Sequence, residues 1–232
     1  MLAGHLGAAL ALKKVERRLN LGILVLAALA LDVLLWAFVL IGWETVQVPA
    51  DFSTRRQLAF EFPFSHGLMA AAGWSLVAAA LATLAWRHRA QQRQRLALVV
   101  GLAVFSHWLL DVLVHVPEIP VLGAASAKLG LSLWEHLPVA LVVESGIALA
   151  GLWLFLAGSA LPRGRRIATI STTVFVMLLT ILGMTIAPAP PSGVEAAASS
   201  LALIAALTGL FAWLDRDRTN PAATATTPPD QS

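Results

Sequence analysis

Six apolar stretches, roughly 20–42, 64–86, 96–116, 133–157, 167–187 and 199–214, dominate the chain. Most approach the length of about 20 residues that an α-helix needs to cross a bilayer core. The connections KKVERR (13–18), RHRAQQRQR (87–95), PRGRR (162–166) and DRDR (215–218) hold every Lys and Arg except Arg55, Arg56 and Lys128. Basic and non-basic connections therefore alternate, and the positive-inside rule expects both termini in the cytoplasm of a multi-pass protein. Trp43, Trp86 and Trp134 fall near span ends, where an amphipathic ring suits the interface. The expected fold class is all-α, a polytopic membrane helical bundle of about six transmembrane helices. With 58% hydrophobic and 12% charged residues and mean hydropathy +0.78, the chain falls far outside the soluble range and a water-soluble globule is not expected.

The segment before Lys13 is too short to span, so it is expected as a short N-terminal re-entrant or interfacial helix. A re-entrant course would lift His5 about 12 Å above Lys13. MLAGHLGAALAL has neither a basic leading region nor a small-residue cleavage site, so a removable signal peptide is not expected. APAPPSG (187–193) is the clearest break. The domain reading is a four-span bundle over 1–160, a two-span C-terminal hairpin over 161–216, and a polar, Pro-rich disordered cytoplasmic tail over 217–232. The pI near 10.2 comes from basic clusters beside apolar spans, a topology signal, so no nucleic-acid partner is expected. The lipid bilayer is the expected partner, and the sequence leaves oligomeric state open.

Within the apolar run, SHWLLDVLVHVPEIP (106–120) places His107, Asp111 and His115 at i, i+4 and i+8, along one helical stripe. Ionisable residues at membrane depth are costly, about 2.5–3.5 kcal/mol for a mid-span carboxylate even on insertion scales. Asp32, Asp111 and Glu144 have no Lys or Arg inside their spans to neutralise them. A metal would do so, and so would bound protons. There is no cysteine, which removes disulfides and thiolate sites and leaves imidazole and carboxylate as ligands. His66 opens span two, Glu135 and His136 begin span four, and all these residues converge on the outer half of the membrane. His88, inside a basic connection, is read as solvated.

The order of these residues resembles that of bacterial membrane-bound metal-dependent hydrolases. GHLGAAL, the Asp32 of LDVLLWAFVLIGWE, FPFSHGL, SHWLLDVLVHVPEIP and GLSLWEHLPVALVVE carry the likeness over about residues 4–157. More distantly, it resembles the zinc-dependent phospholipase C and single-strand nuclease superfamily. The resemblance implies His5, Asp32, His66, His107, Asp111, His115, His136 and Glu144 as metal ligands or their close supporters. The chain departs from the membrane family's Asp-x-Asp-His and HRGxTHS-like motifs, with a lone Asp32 and Glu61-Phe-Pro-Phe-Ser-His66. It departs from the phospholipase spacing as well, with His136 and Glu144 eight apart.

The resulting expectation is an integral membrane metal-dependent hydrolase of the bacterial inner membrane. It would use a divalent metal, zinc or else manganese, and a metal-activated water on a phosphoester or ester, such as a phospholipid or other amphiphilic substrate. Glu144 or Glu135 would position that water or take its proton. The alternative is a proton- or cation-coupled transporter using the same carboxylates and histidines. A non-catalytic scaffold would leave the buried carboxylates without a purpose.

Overall fold

The structure is a computed structural model, and it describes residues 1–216 apart from 90, 158 and 160. The expected disordered tail over 217–232 lies outside the described residues. Helix α1 (Leu2–Val15) is followed by α2 (Leu21–Ala28) and α3 (Ala30–Leu40), then strand β1 (Thr45–Gln47), the single turn α4 (Phe52–Arg55) and strand β2 (Ala59–Glu61). Two long helices follow, α5 (Leu68–Ala85) and α6 (Arg93–Val114). Strands β3 (Ile119–Pro120) and β4 (Lys128–Leu129) and a 3-10 turn (Leu133–His136) lead into α7 (Leu137–Ala157), α8 (Arg163–Thr185) and α9 (Gly193–Leu214). The all-α expectation holds. The strands form two small antiparallel hairpins, pairing Thr45 with Glu61 and Ile119 with Leu129, and both lie in the connections.

Among the described residues, five helices are long and apolar enough to cross a membrane, or six when α2 and α3 count as one span bent by 54°. This is the architecture of a multi-pass membrane protein. The outward faces of α5 and α8 are apolar and exposed, with Leu76, Leu81, Leu84, Phe175 and Leu178 among them, as lipid-facing surfaces are.

Helix α1 lies inside the bundle, as the re-entrant alternative expects. Its residues 3–7, 9, 10 and 13 are buried, and it packs against α7, α2 and α6. Small residues permit the closest of these crossings: a Cβ on Gly151 would collide with the Gly7 carbonyl, and one on Gly7 with the backbone at Ile147. Such close approach is a recurring packing device between membrane helices, where no hydrophobic drive separates helix from lipid.

The two C-terminal helices do not pack chiefly on each other. Helix α9 runs along α2 and α3, whereas α8 lies against α1 and α7. The Asn20 side chain caps α2 by accepting from the Gly22 amide, and donates to the Ala212 carbonyl of α9. Asp215, just past α9, accepts from the Leu21 amide and pairs with Lys13 of α1. Residues 161–216 are thus built into the walls of the bundle.

Candidate metal centre

The break in the first span positions two groups. Leu29 leaves helical geometry between α2 and α3, and the Ala28 carbonyl at that break accepts from His107 Nδ1 at 2.7 Å. A helix end leaves carbonyls without intrahelical partners, so the kink supplies an acceptor in the middle of an apolar bundle. The same break sets Asp32 in the first turn of α3. Its Oδ1 lies 3.6 Å from His107 Nε2 and 3.7 Å from His66 Nε2.

His66 is held from the other side. It sits on the turn before α5, because α5 begins only at Leu68. Buried Glu44 accepts from the Phe64 and Ser65 amides, both at 2.8 Å, and from the Ser65 hydroxyl at 2.7 Å. Ser65 Oγ is in turn 2.8 Å from His66 Nδ1. An ionised carboxylate only accepts, so the Ser65 proton goes to Glu44 and the hydroxyl oxygen takes the proton of His66 Nδ1. Burial pushes the Glu44 carboxyl above the ordinary glutamate range, and the donors from Ser65 and Phe64 act against that shift.

With both Nδ1 atoms held by these oxygens, the Nε2 atoms of His66 and His107 point toward each other, 3.2 Å apart. Asp111 Oδ2 lies 3.2 Å from His107 Nε2 and 3.4 Å from His66 Nε2. His115 repeats the pattern: its Nδ1 contacts Glu118 at 2.6 Å and its Nε2 lies 3.7 Å from Asp111 Oδ2. The helical stripe stops short of it, since α6 ends at Val114 and His115 is extended. His5 stacks on His107 with ring centroids 3.7 Å apart. Its Nε2 is 3.1 Å from Asp111 Oδ1, and its buried Nδ1 has no hydrogen-bond partner among the described residues. The Met1 amino group lies 3.7 Å from Asp111 Oδ1.

Buried acceptors that face one another are destabilising unless a cation or proton lies between them. Two sets have ligand atoms within 4.8 Å of one another, His66 with His107 and Asp111, and His5 with Asp32 and His107. These groups can hold a metal ion. Imidazole nitrogens oriented through Nδ1 by a carbonyl, a hydroxyl and a carboxylate have the outer-shell support that metal-ligating histidines need.

The structure therefore brings together His5, Asp32, His66, His107, Asp111 and His115. It does not bring in the other three expected residues. Glu135 and His136 are exposed on the 3-10 turn, whose neighbour Trp134 faces the site in their place, packed on His115 at 4.3 Å. Glu144 is buried, but its Oε1 accepts from the Ala3 and Gly4 amides at 2.9 and 3.4 Å, serving the N-terminus of α1. Sequence reasoning missed Glu44, Ser65, Glu118 and the Ala28 carbonyl. Ser65 and Glu118 stand one and three residues from expected ligands, which is the only signal they gave.

A cavity of about 220 Å³ opens on this cluster. Asp32, His66, Asp111 and His115 line it together with Trp134 and, from α9, Ser200 and Ile204. Asp32 is the accessible carboxylate, its side chain 25% exposed against 3% for Asp111. No family model matches the chain, and no curated protein or solved structure matches it.

Proposed function

We propose that the protein is an integral membrane metal-dependent hydrolase that cleaves a phosphoester or ester of an amphiphilic substrate near the outer face of the bacterial inner membrane. The observation that carries this reading is the opposed pair of imidazole Nε2 atoms, each with its Nδ1 committed to a fixed acceptor, beside a buried carboxylate. Such a donor set, all nitrogen and carboxylate oxygen, suits zinc, with manganese the other candidate. Held by these residues, a divalent ion would act as a Lewis acid and bring the pKa of a bound water down toward neutrality.

His66, His107 and Asp111 hold the ion in this reading, with His5 and His115 closing the ring. Asp32 faces the cavity and is the group placed to orient a water molecule and accept its proton. That role passes to it from Glu144 and Glu135, which do not reach the cluster. The aromatic walls Phe60, Phe62 and Trp134 exclude bulk water, which strengthens each electrostatic contact inside. Phe60 and Trp134 belong to the poorly basic connections, on the side that the positive-inside rule assigns to the exterior. Lipid headgroups there are the natural source of substrate.

The test is turnover of a panel of phosphoesters and carboxylic esters by detergent-purified protein, beside Asp32→Asn. Loss of at least about 100-fold in the variant is expected, since a placed base contributes 10²–10⁴-fold. Metal-loaded protein that hydrolyses nothing, while proteoliposomes show Asp32-dependent flux, would overturn the hydrolase in favour of a transporter.

A further inference from the structure

A second cavity, of about 270 Å³, adjoins the metal cavity, and Met1, Leu2, Phe60 and Trp134 belong to the walls of both. Its remaining wall includes Arg56 and Gln57 from the connection between β1 and β2, Glu144 from α7 and Thr180 from α8; the Arg56 guanidinium is turned to the Ala187 carbonyl, to which it donates at 2.9 Å. Glu144 is 2% exposed. One of its oxygens serves the α1 amides, and the other, Oε2, is buried with no partner among the described residues. Thr180 stands apart from its neighbours on α8. Thr169, Thr173 and Thr185 each donate to the carbonyl four residues earlier, whereas Thr180 Oγ1 is buried with no partner among the described residues.

Leaving a buried carboxylate oxygen and a buried hydroxyl open costs their desolvation with nothing returned. Both residues line one cavity beside the cluster, so a ligand that enters there and draws the two side chains toward it would satisfy them. A carboxylate oxygen accepts only, and a hydroxyl donates and accepts. The matching group is therefore an O–H or N–H donor, a hydroxyl or a primary ammonium. A trimethylammonium or a methyl group would leave both atoms open.

We propose that Glu144 and Thr180 form a headgroup subsite that takes an O–H or N–H donor on the alcohol portion of the substrate, while its ester reaches the metal cluster past the shared wall. The inference rests on the hydrolase reading for the word substrate, and it makes Glu144 a selectivity residue. The preference for a donor-bearing ligand does not depend on turnover.

The test is calorimetric binding of phosphoethanolamine, glycerol phosphate and phosphocholine to the full-length protein in detergent. The three share a phosphate and offer an ammonium donor, hydroxyl donors and no donor on the headgroup. At least one donor-bearing ligand should bind about tenfold or more tightly than phosphocholine, the worth of a hydrogen bond to a charged group. Which one leads distinguishes hydroxyl from ammonium. Glu144→Gln and Thr180→Val should bring the ratio close to one, and Thr180→Ser should restore it, a rescue that separates lost binding from lost folding. Equal affinities in the wild type, no binding of any of the three, or a ratio unchanged in both variants would overturn the subsite. Equal affinities with ester turnover intact would remove the subsite alone. A donor preference in a protein that hydrolyses nothing would remove the hydrolase and leave the subsite standing.

Discussion

His66 Nε2 and His107 Nε2 face each other across 3.2 Å, each ring held through Nδ1 by an oxygen partner and each Nε2 beside the Asp111 carboxylate. Purified protein should therefore carry a divalent metal in stoichiometric amount, measurable by elemental analysis. The His107→Ala/Asp111→Ala variant should lose it while keeping its helical content. Wild-type protein that is metal-free after mild purification would mean that protons fill the gap, as the transporter alternative requires.

Glu44 and Ser65 should act on the metal without touching it. Ser65→Ala frees His66 to rotate or to change tautomer, and Glu44→Gln removes the charged acceptor that fixes the Ser65 proton. Supporting contacts of this kind are worth about 10- to 100-fold in metal affinity, readable by chelator competition. Affinity should fall as the pH is lowered, because the ligands must be deprotonated. Glu44, raised by burial, adds to this: once protonated it can donate to Ser65 and send the hydroxyl proton toward His66. Unchanged affinity in both variants would show that the relay is only a packing contact.

Gly151 and Gly146 lie on the same helix and should respond in opposite ways. A side chain at Gly151 meets the Gly7 backbone, whereas none of the described residues lies within 4 Å of a Cβ at Gly146. Gly151→Val should lower the melting temperature in detergent and release metal in the same transition, because α1 carries His5. Overpacking typically costs about 1–3 kcal/mol. Gly146→Ala should be neutral or stabilising, by up to about 1 kcal/mol.

Lys13 and Asp215 form a buried pair, each 1% exposed, that ties α1 to the end of α9. Lys13 also donates to the carbonyls of Arg17 and Leu19, at 2.8 and 2.6 Å. Lys13→Met takes the cation from the buried carboxylate, which keeps the Leu21 amide, and should cost about 3–5 kcal/mol, and Lys13→Met/Asp215→Leu should recover much of that loss. Denaturant titration of both variants reads the difference, and a double variant no better than the single would show that the pair's value lies in its hydrogen bonds to the backbone.

A reporter fused after Arg95 or Arg166 should behave as cytoplasmic, and one near Lys128 as external. A cytoplasmic signal from Lys128 would place the metal cavity on the opposite side of the membrane.

The spans were legible because a 20-residue apolar run has few other uses, and five of the six expected stretches are matched by single long helices. The first was legible as a span but not as a broken one, since nothing in LVLAALALDVL marks Leu29 as the point of departure. No proline or glycine sits at that residue, and the bend coincides with contacts made by α6 and α9. The cluster was legible through its expense: His107, Asp111 and Asp32 have no reason to be apolar neighbours unless they share something. Glu144 was equally expensive, and there the inference led elsewhere, because a buried carboxylate can be held by helix-terminal amides as well as by an ion. Glu135 and His136 looked like site residues only while the residues before α7 were read as part of its helix. The 3-10 turn rotates them outward and Trp134 inward.

Helix α1 precedes in the chain every helix it packs against, yet it ends at the centre of the bundle. During synthesis it has no site to occupy until α2, α6 and α7 are in place, so His5 can reach Asp111 only after those later segments have been inserted. Closure of the centre is thereby a report on completion: a chain interrupted before α7 would hold Asp32, His66, His107, Asp111 and His115 on α3, α6 and the turns before α5 and after α6, but would lack the groove that seats α1 and its His5. Metal capture at full strength would mark the moment when the bundle has finished assembling.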